Sequence, residues 1–303
     1  MDLMNINFMQ IRKQTTVLSA ALILISIGSL FINKLNLGLD FTGGTLIEVR
    51  LEKEISSLEE IRVLLREFDL SDFQVNYSGS NRDVSIKIPG GENTLNGNDV
   101  ISSLSSKASL EVRRQEFLGP QVGSELRDQG GLGLLAALAV MMVYIMFRFQ
   151  YKFALGALLA LIHDVVIVLG FFSIFALDFD LTVLAAILAV IGYSLNDTIV
   201  VSDRVRENFR KKRRAEPDSV INRSLNQMIG RTLITSLTTL LVLIALLVFG
   251  GETIKNFSIA LIIGVISGTY SSIYIVCNSL LGLDIRSEDL IIQKAEALDD
   301  GMP

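Results

Sequence analysis

The sequence predicts an α-helical membrane protein with six transmembrane helices and one α+β domain inserted between the first and second. Three observations carry this reading. Half of the 303 residues are hydrophobic and only 19% are charged, where a soluble domain carries about 25% charge. The charges are also unevenly placed, with long uncharged windows between segments dense in Lys and Arg. One polar stretch, residues 34–128, instead alternates short strand-like and helix-like patterns.

The first span is Gln14–Asn33, an uncharged window after Arg12 and Lys13. Its apolar core is long for a signal peptide and no small-residue cleavage site follows, so it reads as a retained anchor. Residues 1–33 thus form an N-terminus and the first helix. In the domain, 34–128, Thr45–Leu51 reads as a strand. Ser57 is placed to cap a helix over Leu58–Phe68, with Glu60 at capping-box spacing and Leu58, Ile61, Leu64, Leu65 and Phe68 on one face. Phe73–Tyr77 and Val84–Ile88 alternate as strands about a turn at Ser78–Asn81. A second helix over Asn98–Lys107 and a last strand over Leu110–Phe117 complete a β-α-β-β-α-β order, that of a ferredoxin-like domain.

Membrane character resumes at Gln129. Residues 129–281 hold spans two to six: Gln129–Phe147, Phe153–Leu177, Leu181–Val201, Arg231–Gly250 and Phe257–Leu281, with a basic loop at 202–230 and a polar tail at 282–303. Lys and Arg crowd the flanks on one side, including Arg204 to Arg231, while the short loops on the other side carry only Lys255. The bias of basic residues toward the inside places both termini and the basic loop in the cytoplasm and the α+β domain outside.

Charged groups inside spans are costly, about 2.5–3.5 kcal/mol each, and call for a reason. Asp164 lies near the middle of span three, with Gly156 and Ala160 at helical spacing, so it faces a seam open to a close neighbour. It is either a structural interhelical hydrogen bond or a proton-relay member. His163 reads as a satisfied interhelical histidine. Asp197 lies near the inner end of span four between Asn196 and Thr198, and Arg231 opens span five at a similar depth. Arg231, Thr235 and Thr238 form one helical repeat and Thr232, Ser236 and Thr239 another, which with Asn196 and Thr198 predicts a polar seam in the cytoplasmic half of the bundle. Two readings fit the Asp197–Arg231 pair: a snorkelling Arg at the helix end with a fixed ion pair, or a carboxylate whose protonation alternates while the Arg is engaged or released. Ala260, Gly264, Gly268 and Ser272 form a small-residue ridge on span six for close helix packing. Gly38–Gly44, with the Gly43–Gly44 pair, and Leu118–Gly123, with Gly119 and Pro120, flank the domain and read as turn chemistry or as hinge loops. A single histidine, His163, and a single cysteine, Cys277, exclude His-pair zinc motifs and Cys-based metal sites.

Gly-Leu-Asp-Phe-Thr-Gly-Gly (38–44), Leu-Gly-Pro-Gln-Val-Gly (118–123), Ile-His-Asp (162–164), the run Ile191–Asn208 and Leu-Asn-Gln-Met-Ile-Gly-Arg-Thr-Leu-Ile-Thr-Ser (225–236) resemble the SecF family. The resemblance covers nearly the whole chain. It implies the resistance-nodulation-division superfamily, a heteromeric twelve-span assembly with SecD, and work beside the SecYEG channel, often with YajC, on unfolded preprotein. It implies use of the proton-motive force in late export across the bacterial cytoplasmic membrane, with Asp197 and Arg231 linked to proton passage. Membrane lipids are implied as surroundings; no cofactor and no nucleic acid is. A half-transporter for small molecules or lipids and a passive channel scaffold are the rival readings. An intramembrane aspartyl protease lacks its Gly-x-Gly-Asp motif, since Tyr-Ser-Leu-Asn precedes Asp197.

Overall fold

The computed structural model describes residues 6–52, 57–66, 73–78, 80–90, 97–107, 109–212, 214–286 and 289. Six helices are long and apolar enough to cross a membrane: α1 (Arg12–Ile32), α5 (Pro120–Arg148), α6 (Tyr151–Ile174), α7 (Leu181–Lys211), α8 (Pro217–Phe249) and α9 (Glu252–Gly282). The expected six spans are all present.

Two boundaries differ from expectation for one reason: charged residues were read as loop where they continue a helix. α7 and α8, 31 and 33 residues long, exceed the ~20 residues that cross the hydrocarbon. The stretch 202–230, expected as a loop, is therefore helical over 202–211 and 217–230. Pairs one turn apart support the extension: Glu207 meets Arg204 at 2.9 Å and Lys211 at 2.6 Å. Pro217 sits in the first turn of α8, where its missing N–H costs nothing. Asn208 then donates to Ser224 Oγ and Gln227 Oε1, both at 2.8 Å, and ties the two extensions together. Likewise α5 starts at Pro120, so residues 120–128, expected within the domain, are helix.

The inserted domain comprises β2 (Gly44–Leu51), α3 (Glu59–Arg66), β3 (Gln74–Ser78), β4 (Ser80–Pro89), α4 (Gly97–Lys107) and β5 (Leu110–Leu118). Its sheet is antiparallel in the order β3-β4-β2-β5, the ferredoxin-like arrangement. Alternation explains the layering. Ile47, Val49, Val75, Val84, Ile86 and Ile88 face Ile61 and Leu65 of α3 and Val100 and Leu104 of α4. The Ser57 Oγ caps α3 by accepting the Glu59 amide at 3.2 Å. Phe68 and Gly79 of the expected helix face and turn lie outside the described residues.

Within the bundle, α6, α7 and α9 are the most buried helices, while α5 is almost wholly exposed. The small ridge of α9 explains the tight centre. A Cβ on Gly264 would overlap Val190, and one on Gly268 would lie 3.0 Å from the Cβ of Ser194, so the ridge seats α7 within this chain. Before α1, Asn226 holds Ile6 by both backbone groups, at 2.9 and 2.7 Å. A short parallel pair, β1 (Asn36–Leu37) with β6 (Asp178–Phe179), joins the approach to the domain, which continues through the one-turn helix α2 (Leu39–Thr42), to the α6–α7 connection.

Candidate functional site

Asp164 of α6 is 1% exposed and receives four hydrogen bonds. Ser194 Oγ of α7 donates at 2.5 Å, Ser267 and Ser271 Oγ of α9 each at 2.7 Å, and His163 Nδ1 lies at 3.0 Å. Three helices thus meet at one carboxylate. The sequence seam of Gly156, Ala160 and Asp164 is where α9 comes close: a Cβ on Gly156 would lie 3.4 Å from the Val276 carbonyl. Ser267 and Ser271 stand four residues apart on α9, one above the other, so both reach the same side chain. His163 differs from its expected role. Its Nδ1 turns to its own neighbour rather than to another helix, and its buried Nε2 has no hydrogen-bond partner among the described residues. The ring stacks on Tyr270 at 6.0 Å, and the Tyr270 hydroxyl donates to the Thr15 carbonyl at 2.8 Å.

Asp197 of α7 is 5% exposed, and its Oδ2 has no hydrogen-bond partner among the described residues. Thr198 beside it is buried and Asn196 is exposed. Arg231 does not begin its helix; it lies 14 residues after Pro217. It is exposed and forms no ion pair with Asp197 within 4.0 Å. The expected polar seam therefore divides. Thr232 and Ser236 face inward, and Ser236 Oγ meets Thr269 Oγ1 at 2.7 Å and accepts from Tyr193 at 3.4 Å. Arg231, Thr235 and Thr238 are exposed on the next face of α8, and the two threonines bond only their own helix backbone. Adjacent helical stripes lie about 100° apart, and with both stripes polar the sequence did not say which one turns inward.

The two glycine loops flanking the domain meet. Gly43 and Gly44 take φ of 69° and 133°, in the region that favours glycine. A Cβ on Gly43 would lie 2.6 Å from Pro120 Cα and 3.0 Å from the Leu118 carbonyl, and one on Gly123 would lie 2.6 Å from the Gly43 nitrogen. The Gly90 amide donates to the Gly43 carbonyl at 3.1 Å. Gly119, extended, caps α5 ahead of Pro120. The candidate hinge residues are one backbone-on-backbone junction.

Sequence reasoning missed a second attachment of the domain. Lys87 of β4 pairs with Asp178, which also accepts from Asn36 Nδ2 at 2.7 Å, while the Asp178 carbonyl accepts from Asn256 at 3.0 Å. Asp180, two residues on, was legible as an N-cap: its Oδ1 accepts the Val183 amide at 2.9 Å. The Lys87–Asp178 contact spans 91 residues and leaves no local signal. Among the described residues no group of three or more His, Cys, Asp or Glu is arranged to hold a metal.

A six-span bundle with carboxylates buried between its helices and a folded insert after its first span defines a membrane transport subunit. Residues 99–286 match the family described as protein export membrane protein SecD/SecF, C-terminal, and residues 28–55, which include Gly43 and Gly44, match the SecD/SecF GG motif. The chain belongs to the SecD/SecF family and is a multi-pass protein of the bacterial cytoplasmic membrane. Among its relatives are the protein translocase subunit SecF of Pseudomonas aeruginosa, 49% identical over 98% of each chain, and that of Vibrio alginolyticus, 45% identical over 98% of this chain and 97% of the other. The crystal structure of SecDF from Thermus thermophilus matches with a TM-score of 0.84 at 35% identity, covering 92% of this chain and 38% of that one. A second SecDF crystal structure, in a super-membrane-facing form, matches at 0.69 with 34% identity over 92% of this chain and 39% of that one.

Proposed function

We propose that this chain is the SecF-type half of a SecD-partnered accessory complex that uses the proton-motive force in late steps of preprotein export. One observation carries the reading: Asp197 is buried with an oxygen that has no hydrogen-bond partner among the described residues, beside a polar stripe that faces out of the chain at membrane depth. Arg231 lies 18 residues before the end of α8, about 27 Å at ~1.5 Å per residue, near the inner edge of the ~30 Å hydrocarbon core. Arg231, Thr235, Thr238 and Asn196 form an outward polar face that a second six-span half covers. Asp197 is the proton carrier, Arg231 its counter-charge, and Thr198 lines the path. Asp164 holds the helices beside it. Both termini are cytoplasmic, and the α+β domain stands outside, where it meets unfolded preprotein emerging from SecYEG, with YajC as a further neighbour.

A proton crossing ~100 mV supplies about 2.3 kcal/mol, enough to bias a domain movement of modest cost. The junction of Gly43, Gly44, Gly119 and Pro120 passes a shift of α5 to the sheet. The different TM-scores of the two SecDF structures, at nearly equal identity and coverage, support a family able to take more than one arrangement.

The test is Asp197→Asn in the SecD-partnered complex, with preprotein translocation measured with and without an imposed proton gradient and assembly checked in parallel. Loss of the gradient-dependent part with assembly intact is the expected result. Unchanged gradient-dependent export removes Asp197 from the path and favours a passive scaffold.

A further inference from the structure

On the face of the bundle opposite the inserted domain, a group of arginines outnumbers the acids that stand beside it among the described residues. Arg148 ends α5 and pairs with Asp203 of α7 at 2.7 Å. Asp203, Arg206 and Arg210 follow one another along a single stripe of α7, at spacings of three and four residues. Arg206 lies in the field of both Arg210 and Arg148, and among the described residues Asp203 is the acid that acts on it. That acid is already engaged by Arg148. The buried Nε of Arg206 has no hydrogen-bond partner among the described residues. Arg204 and Lys211, by contrast, share Glu207.

Helix geometry explains Arg148 and Arg210, since both lie in last turns, where the macrodipole favours cations. It does not explain Arg206, which sits more than a turn from the end of α7. An unpaired buried guanidinium nitrogen beside two further arginines is the arrangement that receives an anion through paired N–H donors.

We propose that Arg148, Arg206 and Arg210 form a binding site for the phosphate of an anionic phospholipid. Depth selects the lipid. Arg206 lies 25 residues beyond Leu181, the start of α7, or about 37 Å at ~1.5 Å per residue, just past the ~30 Å hydrocarbon core. Met146 and Phe147 are exposed immediately before Arg148, and their apolar surface is where acyl chains of a headgroup held here would run. Basic pockets between helices at the cytoplasmic surface suit such headgroups.

The experiment uses the full chain in phosphatidylcholine nanodiscs doped with phosphatidylglycerol. Phosphatidylglycerol retained after transfer to detergent is measured by native mass spectrometry. Arg206→Gln and Arg210→Gln are each expected to lower retention about fivefold, the factor matching ~1 kcal/mol per basic residue at a membrane surface. Arg214→Gln, which removes an exposed charge from the α7–α8 connection, is expected to leave it unchanged. Arg206→Lys keeps the charge without the planar fork and is expected to fall between, which keeps the test open where Arg206→Gln fails to fold.

Equal losses from Arg206→Gln, Arg210→Gln and Arg214→Gln would mean diffuse surface charge and overturn the site. Displacement of phosphatidylglycerol by inorganic phosphate at matched concentration would assign it to free anion instead. Unchanged lipid retention with weakened co-purification of a second six-span subunit would make it a subunit contact.

Discussion

Asp164 and Asp197 are both buried carboxylates of one bundle, and they live in opposite surroundings. Asp164 has four donors around it from three helices. Asp197 keeps an oxygen with no hydrogen-bond partner among the described residues, next to a polar surface that leaves the chain. Burial is common to both, so burial alone assigns neither acid a role. What separates them is whether the lone pairs are already used. A saturated carboxylate holds helices together, and an unsaturated one has room for a proton or a visiting partner.

This difference is tested hardest by removing the saturated acid. Asp164→Ala leaves Ser194 and Ser267 without their acceptor and Ser271 with only the Gly268 carbonyl at 3.2 Å, and is expected to cost about 3–5 kcal/mol, the range for removing one member of a buried charged contact. Unfolding of the purified chain in mixed micelles measures it, and wild-type stability would dissolve the distinction between the acids. The domain junction should be next. Gly43→Ala forces a side chain into positive φ and against Pro120, for about 1–3 kcal/mol, read as a lower midpoint of domain unfolding. One donor of the cage comes third: Ser267→Ala should lose about 1 kcal/mol in the micelle assay. Asp197→Asn is close to isosteric and breaks no hydrogen bond at Asp197 Oδ2, so it is expected to shift stability least of the four; under the proposed function it is expected to remove gradient-driven export.

A third acid, outside the spans, extends the series. Burial pushes the Asp289 carboxyl up, but the hydrogen bond from Lys152, the Arg286 amide and the two cations outweigh it and hold the group below its ordinary value of 3.8. A folded-state value below the unfolded one means that docking of this segment is favoured above the usual carboxylate range. That contribution is lost as pH falls through the lowered value. Hydrogen exchange of the Ile285 and Arg286 amides should rise in acid, and Asp289→Asn should make it high at every pH.

Much of the architecture was legible because it is written in period and length. Apolar windows marked the six spans, and alternation in Ile47, Val49, Val84, Ile86 and Ile88 marked the sheet. Boundaries failed where charge and helix coincide, at 120–128 and at 202–230. At the site, the two acids and Arg231 stood out by charge alone. The serines did not, because Ser267 and Ser271 sit in an apolar run where a hydroxyl has many uses. The facing of α8 was hidden because both of its stripes are polar. Lys87 and Asp178 meet only after the sheet docks.

The Gly43–Pro120 contact has a consequence for how such a chain is assembled. The polypeptide enters the insert at Gly44 and leaves it at Leu118, and these ends touch. For the helical bundle, the whole insert is thus a loop of almost no span. The entropy of closing a loop grows only as the logarithm of its length, about 0.6 kcal/mol per doubling. The module between those glycines can lengthen, shrink or be exchanged with little penalty to the six helices, so long as its two ends still meet.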